Sequence, residues 1–258
     1  LAVSGTNEFG EIFGVVDNGA GATGLSDRQT LNIFPRDFNP ERVQIQADSG
    51  VANFAFPSVK TGDRLGNVTG VVGYGFGNFE IVATENFTSN IQPGTLQPEV
   101  TTITEGGNKL NVASYNVLNL DPNEADGDTD IANGRFTAIA QQIVNNLNAP
   151  DIIGLQEIQD NSGSANDGVT SASATLQTLV DAIAAAGGPT YAFVDNTFIG
   201  NNLSGGQPGG NIRTAFLYDT SRVSLVNGSV QTIGSQASGG AFADGRLPLV
   251  ATFGFRGQ

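Results

Sequence analysis

The feature that most restricts the fold is a strand, helix, strand succession between residues 110 and 158. LNVASYNVLNL (110–120) alternates apolar and polar residues. RFTAIAQQIVNNL (135–147) puts Phe136, Ile139, Ala140, Ile143, Val144 and Leu147 on one helical face, and DIIGLQEI (151–158) is a second apolar run. Ala149-Pro150-Asp151 stops the helix. A βαβ unit of this length predicts two parallel strands, both covered, whose polar ends reach the same edge of one sheet. That brings Asn116 near Glu157, at the carboxyl ends where open α/β sheets hold their ligands. A second amphipathic helix is expected in SASATLQTLVDAIAAAG (171–187), and three further strands in TYAFVD, IRTAFLYD and LPLVATF.

Residues before 91 follow another pattern. EIFGVVDNG, TLNIFP, ERVQIQAD and NVTGVVGYGFGNFEIVAT are short apolar alternations broken by Gly, Asn and Asp, with no helical period. They predict a small closed or nearly closed antiparallel barrel ending near Thr84. Residues 92–109, with two prolines, read as a linker and 110–258 as the second domain. As stacking platforms for single-stranded nucleic acid, Phe54, Phe56, Tyr74 and Phe76 would need a basic groove. This half is acidic, so they are expected in the core.

Composition narrows the chemistry. The 258 residues contain no Cys and no His, so thiolate chemistry, disulfides and imidazole general bases are excluded. Any metal must be held by carboxylates, amides and carbonyls, which suits Mg²⁺, Ca²⁺ or Mn²⁺. The net charge of −14 argues against a nonspecific electrostatic grip on DNA and fits an extracellular, secreted protein. The chain opens on Leu1 without a Met, as expected where a signal peptide has been removed, and has no apolar run long enough to span a membrane.

ASYNVLNL, DIIGLQEIQDN, GGQPGGNIRTAFLYDTSRV and GRLPLVATF, in that order, resemble the first half of the endonuclease/exonuclease/phosphatase (DNase I-like) superfamily, most closely its secreted bacterial nucleases. The leading segment is similar to the OB-like domain that often precedes them. The resemblance implies an OB-like all-β domain (1–91) followed by part of a DNase I-like α/β sandwich, with metal-dependent phosphodiester hydrolysis of nucleic acid. It makes Glu157 the principal metal ligand, Asn116 a holder of phosphate or of metal-bound water, and Arg246 a phosphate contact, with Arg213 a weaker one.

The family completes its site with a His and further Asp and Asn residues that this sequence lacks, so the chain as given is expected to be inactive. Half a sandwich also leaves one sheet face open, to be covered by a missing half-domain or by self-assembly. The alternative is a non-enzymatic acidic extracellular scaffold or fibre subunit built on the same fold.

One motif stands apart from the resemblance. DPNEADGDTD offers Asp121, Asn123, Asp126, Asp128 and Asp130 as hard oxygen ligands. Its order does not fit the EF-hand loop, which leaves two readings: a loosely held Ca²⁺ or a solvated acidic loop.

Overall fold

The computed structural model describes residues 1–32, 34–36, 38–48, 50–104 and 106–256. The segments expected around Ile33, Asp37, Glu105, Gly257 and Gln258 therefore lie partly outside the described residues. The chain forms two units, Leu1–Gln97 and Pro98–Gln258, the first all-β and the second mixing helices with strands.

In the first unit β1 (Glu11–Val15), β2 (Arg42–Gln46), β3 (Gly70–Gly75) and β4 (Asn78–Ala83) form one sheet in the order β1-β2-β4-β3. The β3–β4 hairpin turns on Phe76 and Gly77, with φ of 48° and 82°. Positive φ at both central residues is the turn that matches strand twist, and Gly accepts it at no steric cost. The core comprises Ile12, Ile45, Val59, Leu65, Ala83 and Phe87, with the Phe56 ring edge-on to Phe87 at 5.6 Å.

Two expectations fail here. β2 and β4 pair in parallel, so among the described residues the sheet is mixed and open rather than a closed antiparallel barrel. Alternation marks candidate strands but not the direction in which they pair. Phe54 and Phe56 pack on the core as expected, whereas Tyr74 and Phe76 are exposed, Phe76 fully so.

The division between the units falls inside the expected linker, between Gln97 and Pro98. Gln92 bridges to Arg64, and the Gly94 amide donates to Asp63 Oδ1 at 2.7 Å, fixing that stretch to the first unit. The Thr101 amide and the Glu99 carbonyl bond Asn146 in the second.

The second unit contains β5 (Val112–Leu120), α1 (Arg135–Gln141), β6 (Ile152–Ile158), α2 (Ser173–Ala185), β7 (Tyr191–Val194) and β8 (Arg213–Asp219). Short strands β9 (Val223–Leu225), β10 (Gln231–Thr232), β11 (Leu249–Val250) and β12 (Phe253–Phe255) follow. The main sheet runs β5-β6-β8-β7, with β5 and β6 parallel as the βαβ pattern requires. Both helices lie on one face: Phe136, Ile139, Ala140 and Ile143 with Leu176, Leu179 and Ile183 bury Ile153, Leu155, Ala215 and Leu217. Each such Leu or Ile contributes roughly 1.5–3 kcal/mol.

The first helix is shorter than its apolar stripe. Past Gln141 it widens into a π turn, Gln142–Asn146, where the Leu147 amide reaches back to the Gln142 carbonyl. Asn146 is thereby turned to the Glu99–Thr101 segment.

On the opposite face Phe253 packs against Phe216 (5.7 Å) and Tyr218 (5.4 Å). Farther along, at β5, Val112, Ser114 and Asn116 are exposed. No helix among the described residues is long and apolar enough to cross a membrane.

Candidate functional site

The pairing directions collect four strand ends on one edge: the carboxyl ends of β5, β6 and β7 and the amino end of β8. The ladder is disturbed there. Between β5 and β6 the register passes from Asn116↔Gln156 to Leu120↔Ile158. Between β6 and β8 it passes from Leu155↔Ala215 to Ile158↔Arg213. Extra residues in both β5 and β6 make bulges, which re-aim side chains at a sheet's rim.

Leu118, Asn119 and Glu157 adopt φ of 54°, 53° and 61°. Each left-handed non-glycine residue costs roughly 1–3 kcal/mol, which the surrounding packing must over-determine. Buried Val117, Leu120 and Ile158 supply that packing.

Asn116 and Glu157 thus stand at neighbouring strand ends, with Asn116 opposite Gln156, one residue short of Glu157. Asn116 is exposed and its Oδ1 accepts the Leu118 amide at 2.8 Å. Glu157 is half-buried, and among the described residues no donor bonds its carboxylate. Gln156 is engaged instead with the Gly154 carbonyl (2.9 Å) and the Ser114 hydroxyl (3.3 Å).

Arg213 is not where a phosphate contact would need it. Its side chain is buried, its Nη1 pairs with Asp195 Oδ1 at 3.1 Å, and its Nε donates to the Asn211 carbonyl. Burial lowers its pKa; Asp195, and more weakly Asp160, oppose that shift. The glycines before it allow close approach, Gly209 to backbone and Gly210 to the Gln159 side chain. A β-carbon at Gly209 would lie 2.4 Å from the Ser164 carbonyl oxygen, and one at Gly210 would lie 2.8 Å from Gln159 Nε2. Arg246 is exposed and lies over Gly206, whose β-carbon would come within 2.9 Å of its guanidinium.

Sequence reasoning missed the polar network that joins these loops. Asp160 Oδ2 accepts Asn211 Nδ2 at 2.8 Å, and Asp160 Oδ1 accepts both the amide and the hydroxyl of Ser162 at 2.8 Å. Asn211 also bonds the Val169 carbonyl and Asn201, and Asp195 Oδ2 accepts the Ala172 amide. Burial raises the Asp160 pKa against the lowering effect of these donors and of Arg213. The available signal was the run Gln159-Asp160-Asn161 directly after an apolar strand, polar residues in a place where burial demands partners.

The acidic loop also closes on itself. Asp121, Asp128 and Asp130 each bring a carboxylate oxygen to within 4.8 Å of the others. Asp121 and Asp130 are fully buried. Asp130 Oδ1 pairs with Arg135 at 2.5 Å, and Asn123 donates to the Ser162 carbonyl. Desolvation, reinforced by Asp126, Asp128 and Asp130, pushes the Asp121 pKa up to about 7 against the opposing Asn123 amide. Desolvation and then Asp130 raise that of Asp128.

A family model described as a domain of unknown function (DUF8508) matches residues 1–93. No curated protein matches the chain.

Proposed function

We propose that the second unit carries the metal- and phosphate-binding part of a secreted, metal-dependent phosphodiesterase of the DNase I-like type, acting on nucleic acid. One observation carries the reading: Glu157 offers a carboxylate that no donor among the described residues bonds, from a left-handed residue in a bulge, beside the exposed amide of Asn116. Backbone strain of this kind clusters at functional sites, and the carboxyl ends of strands are where such sheets bind ligands. The donor set fits a hard divalent ion, Mg²⁺ or Mn²⁺, which keeps most of its waters and takes one or two protein carboxylates. When bound, that ion neutralises phosphate charge. Glu157 holds it, Asn116 orients a phosphate oxygen or a coordinated water, and Arg246 offers a planar fork to phosphate. Arg213 has no part in substrate contact, because Asp195 holds it in the interior. With a net charge of −14, nucleic acid affinity rests on the ion and on Arg246 rather than on a basic surface.

The test is fluorescence anisotropy of a labelled single-stranded oligonucleotide with the 258-residue chain, with and without Mg²⁺. Mg²⁺ should raise affinity for the wild-type chain and not for Glu157→Gln. Equal Mg²⁺-dependent binding by both proteins would end the reading.

A second reading, a non-enzymatic acidic scaffold subunit, is favoured by the exposed Val71, Val72, Tyr74, Phe76 and Phe79 of the β3–β4 hairpin. Sedimentation equilibrium separates the two. The scaffold requires concentration-dependent assembly that Phe76→Ser abolishes.

A further inference from the structure

We propose that the loop from Asp121 to Asp130 is a Ca²⁺ site, with Asp121, Asp128 and Asp130 as its carboxylate ligands. The ion would fasten the β5–α1 loop to the β6–α2 loop.

Acidity alone would not justify this, since acidic loops are usually solvated. The decisive group is Asp121. It is fully buried and contributes to the cluster of three carboxylates, yet its Oδ2 has no hydrogen-bond partner among the described residues. A buried carboxylate oxygen left bare is expensive unless a donor or a cation meets it. Asp126 Oδ1 is in the same condition.

The donors present are accounted for elsewhere. The Asn123 amide serves Asp121 Oδ1 at 2.8 Å, and the Ser164 amide serves Asp126 Oδ2 at 2.6 Å. Arg135 takes Asp130 Oδ1 and then the carbonyls of Val117 and Leu118. Among the described residues, the ion pair in this loop is that of Arg135 with Asp130. Glu124 is not a candidate ligand, because Oε1 already accepts the amides of Ile131 (2.7 Å) and Ala132 (3.2 Å).

The choice of ion follows from number and spacing. Oxygens about 2.3–2.6 Å from one Ca²⁺ lie within roughly 5 Å of each other, the span found here, and Ca²⁺ accepts several carboxylates in irregular geometry. Mg²⁺ demands a near-octahedral shell and retains its waters, so a crowded carboxylate loop suits it poorly. Both loops leave the strand ends that bear Asn116 and Glu157. They are already tied by Ser164, whose hydroxyl donates to the Asp126 carbonyl, and by Asn123, which donates to the Ser162 carbonyl. The ion would add its charge to that seam without touching Glu157.

The experiment is calorimetric titration of chelator-treated 258-residue chain with CaCl₂ and with MgCl₂, paired with thermal unfolding. Variants are Asp121→Asn, Asp128→Asn and Glu157→Gln. In the Glu157→Gln background, which removes the other ion site proposed, one Ca²⁺ per chain should bind at millimolar affinity or better and raise Tm, with Mg²⁺ markedly weaker. Asp128 is exposed, so Asp128→Asn should fold normally and still weaken Ca²⁺ binding by about tenfold or more. Asp121→Asn should weaken it further, and Glu157→Gln should leave it unchanged, which keeps this site separable from the proposed phosphodiester site. No heat and no Tm shift in millimolar Ca²⁺ would overturn the proposal, as would unweakened binding by Asp128→Asn or equal affinity for Mg²⁺.

Discussion

Gly163 closes over Asp121: a β-carbon on Gly163 would lie 2.5 Å from Asp121 Oδ1 and 2.1 Å from Asp126 Oδ2. Its φ of 61° adds a conformational reason for glycine. Both carboxylates sit in the loop seam, so nothing can yield without breaking the Ser164 and Asn123 hydrogen bonds. Gly163→Ala should destabilise the chain by about 1–3 kcal/mol or more in urea unfolding. A change below a few tenths would show that the seam is loose.

The raised Asp121 pKa sets a pH dependence in metal-free protein. A folded value of about 7 against an ordinary 3.8 means that the folded chain holds the proton more tightly. The stabilisation is full below about 4 and is lost as pH rises through 7. Asp126, Asp128 and Asp130 face the group, with Arg135 the cation paired to Asp130. In chelator, the Tm difference between wild type and Asp121→Asn should move against wild type from pH 4 to pH 8. Parallel profiles would contradict the assignment.

The two arginines singled out from the sequence should behave oppositely. Arg213→Ala leaves Asp195 and the neighbouring Asp160 in a buried setting without their cation, a loss of about 3–5 kcal/mol in chemical denaturation. Arg246 is exposed, so Arg246→Ala should stay within about 0.5 kcal/mol of wild type while weakening oligonucleotide binding. Reversed stabilities would mean that the burial of Arg213 is misplaced.

Glu157→Gly should separate strain from function. Glycine accepts φ of 61° freely, so removing the side chain relieves roughly 1 kcal/mol and should leave stability equal or higher. The Mg²⁺-dependent gain in oligonucleotide affinity should vanish. A clear loss of stability would show that the carboxylate is held by structure rather than reserved for a ligand.

These contrasts also show what was legible in the sequence. The spacing of Phe136, Ile139, Ala140 and Ile143 locates the first helix, and the apolar runs around Ile153 and Leu217 locate two strands of one sheet. Those patterns arise from burial on one face, which alternation records directly. The parallel β2–β4 pair, the bulges at Leu118 and Glu157 and the interior place of Arg213 leave no such record. Pairing direction depends on crossover paths, and a buried guanidinium depends on an Asp from a different loop. Asn116 and Glu157 could be placed together because the βαβ unit fixes their edge. The Asp160–Asn211 network could not, because its members come from separate connections whose approach is decided by packing.

Hydrolysis of a phosphodiester needs a group that takes a proton from the attacking water, besides a metal and a phosphate clamp. The sequence has no His. At the strand-end edge Glu157 is assigned to the ion, Asn116 has no titratable proton, and Arg246 is assigned to phosphate. Asp160 lies in the same region, but its oxygens are engaged by Asn211 and Ser162. The 258-residue chain should therefore give no plasmid nicking above background with Mg²⁺, Mn²⁺ or Ca²⁺ from none to millimolar, even where it binds oligonucleotide. Metal-dependent nicking that survives Glu157→Gln would refute the assignment of the ion to Glu157. Nicking abolished by Glu157→Gln would keep that assignment and show that a carboxylate at this edge activates water without imidazole; Asp160→Asn would then be the first substitution to make.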